Sequence, residues 1–261
     1  LKQKSYFGDG MLFIRQKTAS LSCHCVRLVR TSVRMERVVD MKSAGEDSSV
    51  KTALAHLQRG DVVAFPTDTI YGVSCLAQNT SGIRQLYAIK RRDAKKPIAI
   101  CVGNVSEINK YAVCDGLPQG LLDSLLPGAV TVVLQRRPCL NPELNPEASL
   151  VGVRVPDHPL SRHLAQAANE PLALTSANIS SEPSCVRAEE FSHLWPQLGV
   201  VLDGGVIQPS SSSGGGGEEE PSRKGSTVVD LSDTGVYRII RPGCALESTE
   251  RVLHSYGWKE K

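Results

Sequence analysis

Two hydrophobic patterns alternate along the chain. Apolar residues spaced three or four apart predict one amphipathic helix that begins near Ser48 or Ser49 and stops at Gly60, and a second that begins near Asn79 or Thr80. Short continuous apolar runs, bounded by Gly, Pro or polar residues, predict strands that are buried on both faces. Strands are predicted at residues 61–65, 97–103, 129–135, 150–156, 172–178, 199–205, 226–231 and 236–243. Further helices are predicted at residues 106–112, 120–126, 160–168 and 246–256. This alternation favours a single α/β or α+β domain with a twisted, mostly mixed open sheet.

Two segments do not follow these patterns. Residues 1–45 hold nine Lys or Arg and three Asp or Glu, whereas the rest of the chain has a net charge of −3. This Arg-rich, Ser-rich composition predicts a basic leader, and a mitochondrial transit peptide, a disordered extension and a mistranslated leader all remain open. Residues 208–225 are rich in Ser and Gly, which predicts a flexible low-complexity insertion. The folded domain is predicted to span residues 46–258, because too few residues follow the insertion to build a second core.

Composition excludes several classes of protein. No stretch approaches the roughly 18 consecutive apolar residues that a membrane-spanning helix needs. Only 5% of the residues are aromatic, which argues against a stacking platform for single-stranded nucleic acid. The eight Cys include no CxxC pair, and Cys23-His24-Cys25 has no second ligand pair at zinc-finger spacing. We therefore expect an intracellular protein without disulfides or a structural metal, cytoplasmic and, if the leader is a transit peptide, also mitochondrial.

Five segments carry polar residues where packing alone would not place them. They are Pro66–Gly72 (PTDTIYG), Lys90–Pro97, Leu126–Leu134, Val153–His158 and Thr175–Ser180 (TSANIS). For the first, an ordinary turn with side-chain-to-backbone hydrogen bonds is an alternative. The second has five cations at a helix end, a pattern that suits both helix capping and triphosphate binding. Walker A, GxGxxG, GxSxG and HExxH motifs are absent, so the Arg, Lys, Ser, Thr and Asn residues indicate a site that positions anions by electrostatics.

Taken in order over about residues 48–257, these motifs resemble the YrdC-like family of threonylcarbamoyl-AMP synthases. The motifs that match are PTDTIYG, Lys90-x-Arg92 with Pro97, PGAVT, VRVPDH, SANIS, STVVD and RPG. The resemblance implies a twisted open α/β sheet around a positively charged cavity. It also implies that L-threonine, bicarbonate or carbon dioxide, and ATP with magnesium react to give L-threonylcarbamoyladenylate and pyrophosphate. The product would serve N6-threonylcarbamoyladenosine modification of tRNA and pass to the KEOPS complex or its mitochondrial counterpart.

The resemblance also implies roles for individual residues. Lys90 and Arg92 would be catalytic and would hold the phosphates of ATP. Threonine would be bound by Thr67, Arg154 and Ser176. The remaining nucleotide contacts would come from Thr131, Asn178, Ser226 and Arg241. Arg91 replaces the glycine that is usual between the Lys and the Arg, which adds charge and is expected to alter the turn.

Two other functions remain open. A non-catalytic module that binds double-stranded RNA or tRNA would use the same basic concavity, although binding an RNA backbone would not require the Thr, Ser and Asn residues. For a synthase, only a weak contact with tRNA is expected. A carbamoyl-transferring accessory domain, as in hydrogenase maturation proteins that share this fold, would carry acylphosphatase and zinc-finger segments upstream, and this chain has neither.

Overall fold

The computed structural model describes residues 37–91, 97–208 and 222–261. Most of the basic leader, the predicted phosphate ligand Arg92 and most of the Ser/Gly insertion lie outside the described residues. The transit peptide and the flexibility of the insertion therefore stay predictions.

Strands and helices alternate through the described residues. The strands are β1 Val38–Asp40, β2 Val63–Pro66, β3 Tyr71–Leu76, β4 Ala99–Cys101, β5 Val130–Gln135, β6 Leu150–Arg154, β7 Leu172–Ser176, β8 Val200–Asp203, β9 Thr227–Asp230, β10 Val236–Arg241 and β11 Lys259–Glu260. The helices are α1 Met41–Ala44, α2 Glu46–Gln58, α3 Thr80–Lys90, α4 Ile108–Tyr111, α5 Leu121–Leu125, α6 Pro159–Ala168 and α7 Leu246–Ser255. Short 3-10 turns lie at Val105–Glu107, Ala188–Phe191 and Trp195–Gln197. None of these described helices is long and apolar enough to cross a membrane.

All the described strands join one sheet of 11 strands in the order β1-β8-β2-β3-β7-β4-β6-β5-β9-β10-β11. Parallel pairs such as β2 with β8 and β5 with β9 occur beside antiparallel pairs such as β3 with β7 and β5 with β6. The predicted single α/β domain with a mixed sheet is therefore confirmed.

Apolar cores lie on both faces of the sheet. Along β2, Val63 and Phe65 belong to a smaller core and Ala64 to a larger one, as the alternation of side chains along a strand requires. Helices α2 and α6 cover the smaller core, whereas α3 packs Ile83 and Leu86 into the larger core. Strands buried on both faces explain why their sequences are continuous apolar runs.

Several elements differ from the sequence prediction. Strand β3 runs through the middle of the sheet, although the sequence analysis treated its first residues as part of a polar turn. Strand β1 pairs with β8, so the sheet begins at Val38, inside the segment assigned to the leader. At the other end, Lys259 and Glu260 pair with β10, so the fold also extends beyond residue 258. Both additions are short edge strands, which carry too few residues to show a period.

Candidate active site

A cavity of about 530 Å³ opens on the sheet face that carries the smaller core. Helices α2 and α6 cover that face near β8 and β2, but the smaller core contains no residue of β5, β6 or β9. Small residues deepen the uncovered area: Ala99 on β4 and Gly152 on β6 line the cavity, and a Cβ on Gly152 would lie 3.1 Å from the Thr131 methyl group. The cavity therefore forms where the side chains on this sheet face are small and where no helix in the described part of the chain packs on it.

The loop between β2 and β3 forms one wall. Thr67 is buried, and its hydroxyl donates to the Ile70 carbonyl at 2.7 Å and accepts from the amides of Thr69 and Ile70 at 3.2 and 3.3 Å. These bonds fix the loop as a hydroxyl-stabilised turn. The ordinary turn that was an alternative for this segment is therefore present, and Thr67 also lines the cavity, so its role in binding threonine stays a prediction.

A buried ion pair holds this loop to the end of β6. The Arg154 Nη2 atom donates to Asp68 Oδ1 at 2.5 Å and to Thr69 Oγ1 at 2.8 Å, and both charged side chains are only 8% exposed. Arg154 lines the cavity, and its Nε and the Asp68 Oδ2 atom are buried without a hydrogen-bond partner among the described residues. A buried guanidinium needs an anionic partner, and here that partner is Asp68, a residue of the PTDTIYG motif for which the resemblance implied no role.

Three polar side chains line the opposite wall. Thr131 Oγ1 and Ser226 Oγ lie 2.8 Å apart, and Arg241 Nη2 donates to the Ser226 carbonyl at 2.8 Å. Gly243 packs against this segment so closely that a Cβ there would lie 2.3 Å from the Ser226 carbonyl carbon and the Thr227 nitrogen. The RPG motif therefore serves the site twice, because its arginine lines the cavity and its glycine allows β9 to approach.

Lys90 and Asn178 lie behind the cavity rather than in its lining. The Lys90 side chain is 1% exposed, and its ammonium donates to the Ser176 carbonyl at 2.5 Å and to the Asn178 carbonyl and side-chain oxygens. Ser176 and Asn178 belong to the turn that follows β7, and Ser176 is the one of the two that lines the cavity. The ammonium of Lys90 thus contacts the turn that carries Ser176.

Burial shifts the pKa of several groups near the site. Burial raises the pKa of the Cys101 and Cys75 thiols to about 12, so both are protonated at neutral pH and are poor nucleophiles. Burial also lowers the pKa of His158, which precedes α6, so this imidazole is mostly neutral at pH 7. The cavity lining itself offers arginine and hydroxyl side chains, which are the residue types that the sequence analysis associated with a site that positions anions.

The structure brings six of the predicted site residues to one cavity. They are Thr67, Thr131, Arg154, Ser176, Ser226 and Arg241. Sequence analysis missed Asp68, and it also missed the floor residues Ala99 and Gly152. An isolated glycine inside a strand pattern is a known sign of a close approach or a ligand, so Gly152 did carry a signal.

Comparison with known proteins identifies the family. A family model for Sua5, YciO and YrdC proteins, described as telomere recombination, matches residues 55–214. The chain belongs to this family. A threonylcarbamoyl-AMP synthase of Homo sapiens is 49% identical over 215 residues, which cover 82% of this chain and 74% of the human protein. A protein of Methanocaldococcus jannaschii named as a putative threonylcarbamoyl-AMP synthase is 37% identical over 181 residues, covering 69% of this chain and 79% of that protein.

Solved structures of the Sua5/YciO/YrdC family share the fold. P. abyssi Sua5 in complex with L-threonine superposes with a TM-score of 0.70 at 25% identity, covering 83% of this chain and 59% of that chain. This chain therefore spans about three fifths of that Sua5 structure. E. coli YciO superposes with a TM-score of 0.64 at 23% identity, covering 75% of this chain and 89% of that chain, which shows the fold alone.

Proposed function

We propose that the protein is a threonylcarbamoyl-AMP synthase, which joins L-threonine, bicarbonate or carbon dioxide, and ATP. The observation that carries this proposal is one cavity that has hydroxyl side chains and an arginine on each of two walls, in a chain 49% identical to a protein of that name. Its volume of about 530 Å³ lies within the range of roughly 300–1,000 Å³ typical of small-molecule sites. The Sua5 structure with L-threonine supports an amino acid as one substrate.

The reaction requires two anions to meet. The neutral threonine amine forms a C–N bond to carbon dioxide and releases a proton to solvent, or condenses with bicarbonate and releases water, and either route gives a carbamate. A carbamate oxygen then attacks the α-phosphorus of ATP. The bond from that phosphorus to the bridging oxygen breaks, and pyrophosphate leaves. Cations on both sides of the cavity lower the repulsion between carbamate and phosphate, and close placement supplies much of the rate. ATP would enter as its magnesium complex, so the metal is part of the substrate.

The two walls suit different substrate groups. Arg154 and Thr67 lie on the wall made by the loop before β3, and we assign the threonine carboxylate to this side. Ser226 and Arg241 lie on the opposite wall, and we assign the nucleotide to them together with Thr131. Ser176 lies between the two walls because β7 pairs with β3. A phosphate contact of Arg92 stays part of the proposal.

The experiment is threonine-dependent release of pyrophosphate from MgATP in the presence of bicarbonate. Arg241→Ala should lower kcat/KM for ATP by at least about tenfold, because a hydrogen bond to a charged group is worth about 1.5–3 kcal/mol. The matched control is Arg238→Ala on the same strand, since Arg238 is exposed and pairs with Asp230 outside this cavity. No threonine-dependent release by the unaltered protein would overturn the proposal.

The product would then modify tRNA through another enzyme. We propose hand-over of threonylcarbamoyladenylate to the KEOPS complex in the cytoplasm, or to its mitochondrial counterpart if the leader directs import. A weak contact of the protein with tRNA belongs to the same proposal. Addition of the protein to KEOPS with ATP, threonine, bicarbonate and tRNA should produce the modified adenosine, and the absence of modified tRNA would refute the hand-over.

A further inference from the structure

The Lys90 ammonium is surrounded by oxygen atoms of one turn, residues 176–182. Its ammonium lies 2.5 Å from the Ser176 carbonyl, 3.4 Å from Ser176 Oγ and 3.2 Å from Asn178 Oδ1, and it also contacts the Asn178 carbonyl. A lysine ammonium has three protons to donate. Among the described residues, four oxygens share these protons, and all four belong to the turn that follows β7.

The backbone of Lys90 contacts the same segment. Its carbonyl accepts the amide proton of Ser180 at 3.2 Å, so the last residue of α3 contacts the turn through both its side chain and its main chain. Asn178 extends the connection, because its Nδ2 atom donates to the carbonyls of Ile179 and Glu182. A buried cation is costly without such partners, so these contacts fix the position of the ammonium and of the turn together.

We propose that Lys90 is a positioning residue that acts through the turn of residues 176–182, and that the phosphates of ATP are bound by other cations. Ser176 is the residue that transmits the effect, since it lines the cavity while its carbonyl and hydroxyl contact the Lys90 ammonium. Loss of the ammonium would take its described side-chain donor from the Asn178 carbonyl and one of two described donors from the Ser176 carbonyl, which also accepts the Asn178 amide. The Ser176 hydroxyl could then move away from threonine. This inference rests on the proposed function for its kinetic consequences but not for its structural ones.

Steady-state kinetics separate a positioning role from a phosphate contact. Lys90→Met should raise KM for threonine at least about tenfold, whereas a lost phosphate ligand would raise KM for MgATP and leave that for threonine unchanged. Lys90→Arg keeps the charge but has a planar head that does not match the four oxygens, so it should fail to restore the threonine KM.

Double-mutant cycles test the route of the effect. If Lys90 acts through Ser176, the variant Lys90→Met/Ser176→Ala should lose little more than the worse single variant. Lys90→Met/Arg241→Ala should instead lose close to the product of the two single losses, because Arg241 lies on the opposite wall. Additive losses for Lys90 with Ser176 would overturn the proposal.

Hydrogen exchange in the ligand-free protein gives a readout that does not need activity. Lys90→Met, or Lys90→Arg if the first variant does not fold, should speed amide exchange of residues 177–182 at least about fivefold relative to the unaltered protein. Arg241→Ala is the control and should leave this segment unchanged. Unchanged exchange at residues 177–182 in the Lys90 variant overturns the positioning role, whereas faster exchange in a protein without synthase activity would refute only the proposed function.

Discussion

Removal of the Asp68 carboxylate is the perturbation that most directly probes the buried site. Asp68 and Arg154 are each 8% exposed and are joined by one hydrogen bond of 2.5 Å. In Asp68→Ala, the guanidinium stays buried and keeps only the Thr69 hydroxyl as a described partner on that side. A charge left in low-dielectric surroundings without its counterion destabilises the folded state strongly, because water can no longer solvate it.

The size of the effect follows from this burial. Breaking a buried pair by removing one partner costs about 3–5 kcal/mol of unfolding free energy. For a domain of this size, about 1 kcal/mol corresponds to a Tm shift of roughly 2–4 °C, so Tm should fall by about 6–20 °C. Asp68→Asn keeps an acceptor oxygen and should lose less, about 1–3 kcal/mol.

Urea denaturation of each variant, followed by circular dichroism with fitted m values, measures these differences. The matched control is Glu143→Ala, which breaks an ion pair to Arg84 that also has a distance of 2.5 Å but lies at the surface. Water solvates the remaining Arg84, so the midpoint should barely move. A loss below about 1 kcal/mol for Asp68→Ala, or an equal loss in both variants, would show that burial does not decide the strength of this pair.

Three further predictions concern neighbouring residues. Gly243→Ala should destabilise by about 1–3 kcal/mol and lower activity by displacing Ser226, while Gly128→Ala, whose Cβ has room, should cost nothing by the same urea assay. Because burial lowers the pKa of His158, the unfolded chain binds that proton more readily than the folded chain, so the unfolding free energy should fall as pH drops below about 6.5. His158→Gln should flatten the slope of unfolding free energy against pH, and equal slopes in the two proteins would contradict this reasoning. Arg91 has a φ of 45° in the left-handed region, so Arg91→Gly should raise Tm, and an unchanged or lower Tm would contradict the strain.

The sequence predicted most elements whose residues face packed neighbours on both sides. Helix α3 was predicted from such a pattern, since its apolar residues Ile83, Leu86 and Ile89 are three apart and are all buried in the larger core. Strand β3 was missed for a physical reason: its six residues are buried, but Gly72 and Ser74 interrupt the apolar run and follow a segment full of turn formers. Pairing with β2 and β7 stabilises this strand, and such long-range pairing is not visible in local propensity.

The motifs named six residues that line one cavity, but they did not indicate the contacts across the fold on which a residue's role depends. The motifs predicted a role for Lys90, but nothing in its neighbours along the chain indicates that its ammonium contacts Ser176 and Asn178, which lie more than 80 residues away. The same holds for Asp68 and Arg154. Residue type alone therefore predicts an anion-handling site, whereas pairing within the site decides which cations remain available to a ligand.

The alternation along β6 and β5 shows how far the cavity itself was predictable. In β6, Val151 and Val153 enter the larger core while Gly152 and Arg154 line the cavity. A period of two was thus present in the sequence, and it separated a packing face from a face with a glycine and a charge. What the sequence lacked was the register that sets Gly152 opposite Val133 on β5, because the intervening loop is too long and irregular to fix it. The register of β5 with β6 places their cavity-lining residues side by side, and this register is visible only in the folded chain.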